Sequence, residues 1–294
     1  MVRGMAALTK NLAVITNVGD NIWLFGLYVC PDIDTITYGL AGLLDERRGW
    51  GIRGDSFDCL AQLRRLDAPS WFGLGDRDLA THIVRTSMLR QGKSLSEITD
   101  SLRRRYSIDA KIIPATDQEL TTIIRTKKGE MHLQEFWVKY KGRPKVTSIK
   151  FDGSDSAIPN SAAISAIRRA DMIIVAPANP VSSIGPTISL KGLRAELARK
   201  RKRVIAVSPL IGKKAISGPA AKYMRALGLE NSPVGVAQYY QDFVGNFVIS
   251  KSDHSMAKRI KSFGMDVNET NITMKDAQGE IRLARYLVNR FADK

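Results

Sequence analysis

Apolar and polar positions along the chain follow two rhythms. Leu12–Thr16, Met172–Ala176 and Val204–Val207 are short β-branched or apolar runs of strand length. Between the last two, Leu193, Leu197 and Ala198 recur at helical spacing and predict a helix over Leu193–Lys202. Strand, helix, strand at this separation is the pattern of a βαβ crossover. A helix is expected over Met1–Leu8, and further helices over Leu79–Gln91 and Leu95–Tyr106. Strand-like runs cover Leu120–Arg125 and Met131–Val138. The tail from Lys275 to Phe291 predicts an amphipathic closing helix, with Ile281, Leu283, Ala284, Leu287 and Val288 on its apolar side. Together these elements predict an α/β fold with a largely parallel sheet. No Pro/Gly/Ser-rich linker divides residues 1–294, so they read as one α/β domain with a mostly helical insertion, or lid, at about residues 43–116.

Composition narrows the class. Of 294 residues, 44% are hydrophobic and 25% charged, an ordinary globular balance that excludes disorder, collagen-like repeats and a coiled coil. No apolar run approaches the roughly 18 residues of a membrane span, and the first residues lack a signal-peptide pattern. Cys30 and Cys59 make neither a disulfide framework nor a metal-ligand spacing, which suits a reducing cytoplasm. Lys and Arg number 45 against 29 Asp and Glu, a net charge of +16. That charge suits nucleic acid, an anionic small substrate or a well-solvated surface. Nucleic acid is disfavoured, because no basic–aromatic interleaving accompanies it. The basic run Lys191–Arg203 carries an apolar stripe and reads as a solvated helix face, as does Arg103–Arg105.

Candidate chemistry gathers at strand ends. Leu12–Thr16 runs into Asn17-Val18-Gly19-Asp20-Asn21, which on its own reads equally as a hydrogen-bonded turn. Asp32 and Asp34 follow in CPDIDT; in an extended backbone residues two apart share a face, so their carboxylates would converge. With Asp20 they form a hard-oxygen set suited to Mg²⁺. In WFGLGDRDLATHIVR a helix is expected to begin at Asp78 or Thr81, placing His82 and Arg85 on one face beyond Asp76. The residues alone leave His82 open between a structural and a ligand-facing role. The connection Pro177–Leu190 far exceeds the roughly 2–6 residues usual for such loops, and it leaves the carboxyl end of a strand, where α/β sheets bind ligands. Its Asn179, Ser182, Ser183 and Gly185 could wrap a phosphate with amide and hydroxyl donors. Ser217-Gly218-Pro219 resembles a helix start and a second anion site, with Lys213, Lys214 and Lys222 nearby. His132 and Trp137 are expected to alternate on a strand as core or pocket wall. No GxSxG, HExxH, Walker A or GxGxxG signature is present.

Taken in order, ITNVGDN, CPDIDTITYGLAGL, WFGLGDRDLATHIVR, MHLQEFWV, ANPVSSIGP, SPLIG…SGPAAKYM and GVAQYYQDF resemble the 2-phospho-L-lactate transferase family of deazaflavin coenzyme F-420 biosynthesis. Each motif is weak alone; the ordered set is specific. The resemblance implies a Rossmann-like fold with helices on both faces of the sheet, and a homodimer. It implies Mg²⁺ and two small substrates, the deazaflavin FO and a guanosine diphosphate ester of a three-carbon acid. FO's terminal ribityl hydroxyl would attack the phosphorus bearing the acid, and GMP would leave. Asp20 and Asp34, with Asp32 beside them, would hold the metal or orient the hydroxyl. Asn17 would join the substrate site, Asp76, His82 and Arg85 would line the FO side, and Asn179 to Gly185 would cradle the diphosphate. Asp34→Asn is therefore expected to abolish turnover with the fold intact. Family members open with a strand and a GGTGxxK-like loop ahead of a segment like Val2-Arg3-Gly4, so such a loop is expected upstream of Met1. A distantly related gluconeogenesis-factor branch, binding nucleotide sugars as a regulator, is the alternative.

Overall fold

The computed structural model describes residues 1–215 and 220–292. Helix α1 (Val2–Ala6) leads into β1 (Ala13–Thr16), followed by the hairpin β2 (Ile22–Leu24) and β3 (Leu27–Val29) and by helix α2 (Pro31–Leu40). Helices α3 (Asp58–Arg65), α4 (Asp76–Arg90) and α5 (Leu95–Arg105) come before β4 (Lys111–Pro114), which returns to pair in parallel with β1. Ser94 starts α5 with a capping box in which its side chain and Glu97 satisfy each other's backbone amides. Strands β5 (Thr121–Thr126), β6 (Gly129–His132) and β7 (Val146–Asp152) form an antiparallel sheet in the order β6-β5-β7.

The second half is doubly wound. Helix α6 (Ser161–Arg169) precedes β8 (Ile173–Val175); α7 (Gly185–Ser189) and α8 (Lys191–Arg199) cross to β9 (Val204–Val207). The small hairpin β10 (Leu210–Ile211) and β11 (Lys214–Ala215) follows, then α9 (Ala220–Ala226) and α10 (Pro233–Tyr240). Strand β12 (Asn246–Ser250), α11 (Ala257–Lys261), β13 (Asp266–Thr270) and α12 (Ala277–Phe291) end the described chain. The sheet order β13-β12-β9-β8 is parallel throughout.

Both faces of this sheet are covered, which explains why β9 is apolar at every position rather than alternating. Ile205 and Val207 with Val248 meet Leu283, Leu287 and Phe291 of α12 on one face. Val204 and Ala206 with Phe247 and Ile249 join the main core, which includes Leu193 and Leu197 of α8, on the other. The α/β reading with its βαβ unit therefore holds.

Three local expectations are corrected. Met131–Val138 is not one strand: β6 stops at His132, and Glu135–Lys139 is a π-helical turn closed by the Tyr140 amide on Glu135 O at 3.0 Å. Phe136 is buried and Trp137 is 44% exposed, so an aromatic-rich run mimicked strand alternation. The connection Pro177–Leu190 is likewise not an open loop but a π-helical turn over Pro180–Ile184 running into α7. Finally, Asp32 and Asp34 lie in the first turn of α2, begun by Pro31. Residues two apart on a helix point about 200° apart, so the two carboxylates diverge.

Candidate active site

Three of the sequence motifs meet beyond the carboxyl ends of β1 and β8. The turn after β1 is held by Asn17, whose Oδ1 accepts the Gly19 amide at 2.8 Å, while Gly19 O accepts the Thr122 amide at 2.7 Å. A Cβ at residue 19 would lie 2.6 Å from Pro186 Cβ and 2.8 Å from Thr122 Oγ1, so glycine alone lets this turn lie against α7. Asn17 Nδ2 donates to Asp32 Oδ2 at 2.7 Å and to Ser182 O at 3.3 Å. One side chain thus ties the β1 turn, the start of α2 and the turn after β8. His132 supports it from below: its Nδ1 accepts the Gln134 amide at 3.0 Å, so Nε2 carries the proton and donates to Asn21 O at 3.1 Å. Burial keeps His132 below the usual histidine range.

The electrostatics centre on Asp20. Burial first, and then the negative charge of Asp32, push its carboxyl well above the usual aspartate range; the Asn17 amide and Thr122 hydroxyl act the other way. Asp32 is raised too, by burial, against the Asn17 hydrogen bond. No cationic side chain among the described residues offsets the pair, and Asp20 Oδ1 is buried without a donor.

The turn after β8 differs from the amide cradle its sequence suggests. Asn179 Oδ1 accepts the amides of Val181 and Ser182 at 3.1 Å, and Asn179 O accepts those of Ser183 and Ile184 at 3.0 Å. Four backbone donors are therefore occupied. Asn179 Nδ2 is buried without an acceptor. Gly185 has a packing role: a Cβ there would come 2.6 Å from Phe151 Cζ.

Asp34 belongs to a second cluster, between α2 and α4. Both its carboxylate oxygens take the guanidinium of Arg85, with Nη1 at 3.1 Å from Oδ2 and Nη2 on Oδ1. Arg85 is fully buried; burial opposes its charge, yet Asp34 outweighs that and its affinity for the proton is raised. Its Nη1 also donates to His82 Nδ1 at 3.1 Å, which leaves the proton on Nε2, 3.3 Å from Asp78 Oδ1. Tyr38 Oη donates to Asp78 Oδ1 at 2.7 Å and accepts from the Thr81 hydroxyl at 2.8 Å. Burial acts to raise Asp78, but the His82 and Tyr38 contacts prevail and hold it below the usual range. Asp76 lies apart: its exposed carboxylate accepts the Asp58 and Cys59 amides at 2.9 and 3.1 Å and so caps α3, while Asp55 caps α4 through the Arg77 and Asp78 amides.

Asp34, Asp78 and His82 bring ligand atoms within 4.8 Å of one another. The set is poorly suited to Mg²⁺. Arg85 already engages both Asp34 oxygens, one ligand is a nitrogen, and the three residues are only 1–6% exposed, whereas Mg²⁺ takes oxygen and keeps several waters. Asp20 and Asp32 suit it better, being two oxygen-donor residues whose mutual charge no cationic side chain among the described residues offsets.

The sequence thus located Asn17, Asp20, Asp32, Asn179 and Ser182, which meet, and His82, Arg85 and Asp34, which form the neighbouring block; Ser183 and Gly185 follow Ser182 in the same turn. Ser217 and Gly218 lie outside the described residues. Tyr38, Thr122 and Asp78 were missed. Asp78 stands four residues before His82 and Tyr38 four after Asp34, helical spacings that were available signals.

Paired carboxylates, an amide clamp and serine residues at the carboxyl ends of parallel strands, with no Ser-His or Cys-His pair at the site among the described residues, define an α/β enzyme that positions its substrates. Residues 1–284 match the family described as 2-phospho-L-lactate transferase CofD, and the chain belongs to that family of transferases in coenzyme F-420 biosynthesis. It is 38% identical over 282 residues to the 2-phospho-L-lactate transferase of Methanococcoides burtonii, covering 96% of this chain and 92% of that one. The Methanocaldococcus jannaschii enzyme of the same name is 37% identical, covering 98% and 93%. The phosphoenolpyruvate transferase of Mycolicibacterium smegmatis is 34% identical, covering 93% and 86%. A crystal structure of a UPF0052-family protein from Bacillus halodurans shares the fold, with TM-score 0.63 at 12% identity over 98% of this chain and 94% of that one. No helix among the described residues is long and apolar enough to cross a membrane.

Proposed function

We propose that this chain transfers a phospho-three-carbon-acid group, of 2-phospholactyl or phosphoenolpyruvyl type, from a guanosine diphosphate ester to the ribityl hydroxyl of FO, releasing GMP. Beside family membership, one observation carries the reading: the convergence of Asn17, Asp20 and Asp32 with the Asn179–Ser182 turn. In the transfer, the ribityl oxygen bonds to the phosphorus bearing the acid and the bond from that phosphorus to the GMP oxygen breaks. The hydroxyl proton passes to a carboxylate oxygen of the pair. A loose phosphoryl-transfer transition state asks mainly for positioning and charge neutralisation. Mg²⁺ would be held by Asp20 and Asp32, where it supplies neutralisation of the diphosphate oxygens.

The other residues position. Asn17 fixes Asp32 and the Ser182 backbone in one geometry. The unpartnered Asn179 amide and the Ser182 and Ser183 hydroxyls are the donors left for the diphosphate. The buried Asp34–Arg85–His82 block braces α2 against α4 and so shapes the FO side, which Asp76 flanks through the start of α3. Exposed Trp23 and Phe25, on the β2–β3 hairpin, suit burial in a homodimer.

Incubation with FO, Mg²⁺ and, in separate reactions, the lactyl, enolpyruvyl and glyceryl guanosine diphosphate esters tests this. GMP and FO heavier by the phospho-acid, in equal amounts with at least one ester, are expected. GMP release with none of them would overturn the reading.

A further inference from the structure

A cleft of about 960 Å³ opens at the amino edge of the parallel sheet. Its lining residues Asp171, Arg203, Gly245 and Met265 immediately or nearly precede β8, β9, β12 and β13. It therefore lies at the amino ends of these strands, whereas the candidate active site lies beyond the carboxyl ends of β1 and β8. The basic run that reads as a solvated helix face behaves otherwise at its end: α8 stops at Arg199, and Arg201–Arg203 form a 3₁₀ turn that lines this cleft. Lys261, from the end of α11, lines it too.

The charge here is held but not neutralised. Arg201 Nη2 donates to Phe263 O at 3.2 Å and Gly264 O at 2.7 Å, which orients the guanidinium without cancelling it; its Nε is buried and unpartnered. Gly264, at φ +75°, makes room, since a Cβ there would come 3.2 Å from that guanidinium. Arg203 donates to Ala170 O at 3.2 Å and makes a long, exposed ion pair with Asp171 at 3.8 Å. Arg199 is closely paired with Glu196 at 2.5 Å.

Basic residues commonly gather where helices end, because the carbonyl termini are negative. Three helices, α8, α11 and α12, end at this cleft, each contributing about half a negative charge. Together with Asp171 and Asp266 these do not offset Lys200, Arg201, Lys202, Arg203 and Lys261. A positive excess of more than one charge remains. The cleft is walled by several elements rather than laid out as a stripe, and its one aromatic, Phe291, is 6% exposed, too buried for base stacking. We propose that this cleft binds a small anion bearing several phosphoryl groups, at a site separate from the transfer site.

Calorimetric titration with sodium tripolyphosphate at about 0.15 M salt, where surface charges are screened beyond about 8 Å, tests it. One tripolyphosphate per chain is expected to bind. Lys202→Glu/Lys261→Glu, two changes at exposed side chains, should weaken binding at least about tenfold. Lys202→Gln/Lys261→Gln should weaken it less, with the melting temperature unchanged. Asn17→Asp, which adds a carboxylate at the transfer site, should bind as the wild type does. No saturable heat, affinity unchanged in both double variants, or loss of binding in Asn17→Asp would overturn the proposal.

Discussion

Asp34 and Asp20 look alike in the sequence, yet their surroundings give them opposite predicted phenotypes. Asp34 neutralises a fully buried guanidinium. Removing one partner of a buried pair typically costs about 3–5 kcal/mol, so Asp34→Asn should lower stability by that order in denaturant titrations, rather than leave the fold intact. Asp20 has no compensating cation among the described residues. Asp20→Asn should therefore keep or raise stability near pH 8 while slowing GMP release at least about a hundredfold, the scale of losing one electrostatic group at a transfer site. Its pH dependence follows from the raised carboxyl. The folded chain binds that proton more tightly than the unfolded chain, so stability falls as pH climbs from the ordinary aspartate value near 4 through the raised one. The melting temperature of Asp20→Asn relative to wild type should accordingly rise between pH 5 and pH 8, and Mg²⁺ should close the gap. A gap that is flat in pH would remove the uncompensated-pair reading. Residue types were legible in the sequence; which face each carboxylate took was not, because that depended on a helical rather than an extended backbone.

At the level of elements, the site is a contact between the turn after β1 and the π-turn–α7 segment after β8. Gly19→Ala would drive a methyl into Pro186 and Thr122. Overpacking of this kind typically costs about 1–3 kcal/mol, and here it also moves Asn17 away from Ser182, so both melting temperature and turnover should fall. Asp76→Ala should lower the melting temperature through the uncapped start of α3. The strands at Ala13–Thr16 and Val204–Val207 and the closing helix were legible because burial on one or two faces writes a periodic pattern. The π-turns at Glu135–Lys139 and Pro180–Ile184 were not, since a single wide turn has no period of its own and its polar residues resemble a loop.

Across the whole molecule, the net charge of +16 is the excess left after ion pairs such as Arg194–Asp242 at 2.7 Å cancel, and part of that excess gathers at the amino edge of the sheet. The proposed transfer site at the carboxyl edge holds carboxylates instead, so the general field rather than a local lysine would draw in an anionic donor. Raising salt should then raise KM for the guanosine diphosphate ester with little change in kcat. The fold class was readable from strand–helix alternation; the meeting of Asn17, Asp32 and Ser182 was not, because it joins residues up to 165 positions apart. The Asp20–Asp32 pair, rather than the Asp34–Asp78–His82 cluster, would hold the divalent ion. Crystals soaked with Mn²⁺ and a non-reactive donor analogue should give an anomalous scattering peak within ligand distance of Asp20 and Asp32. A peak at Asp34, Asp78 and His82 instead, with none beside Asp20, would contradict it.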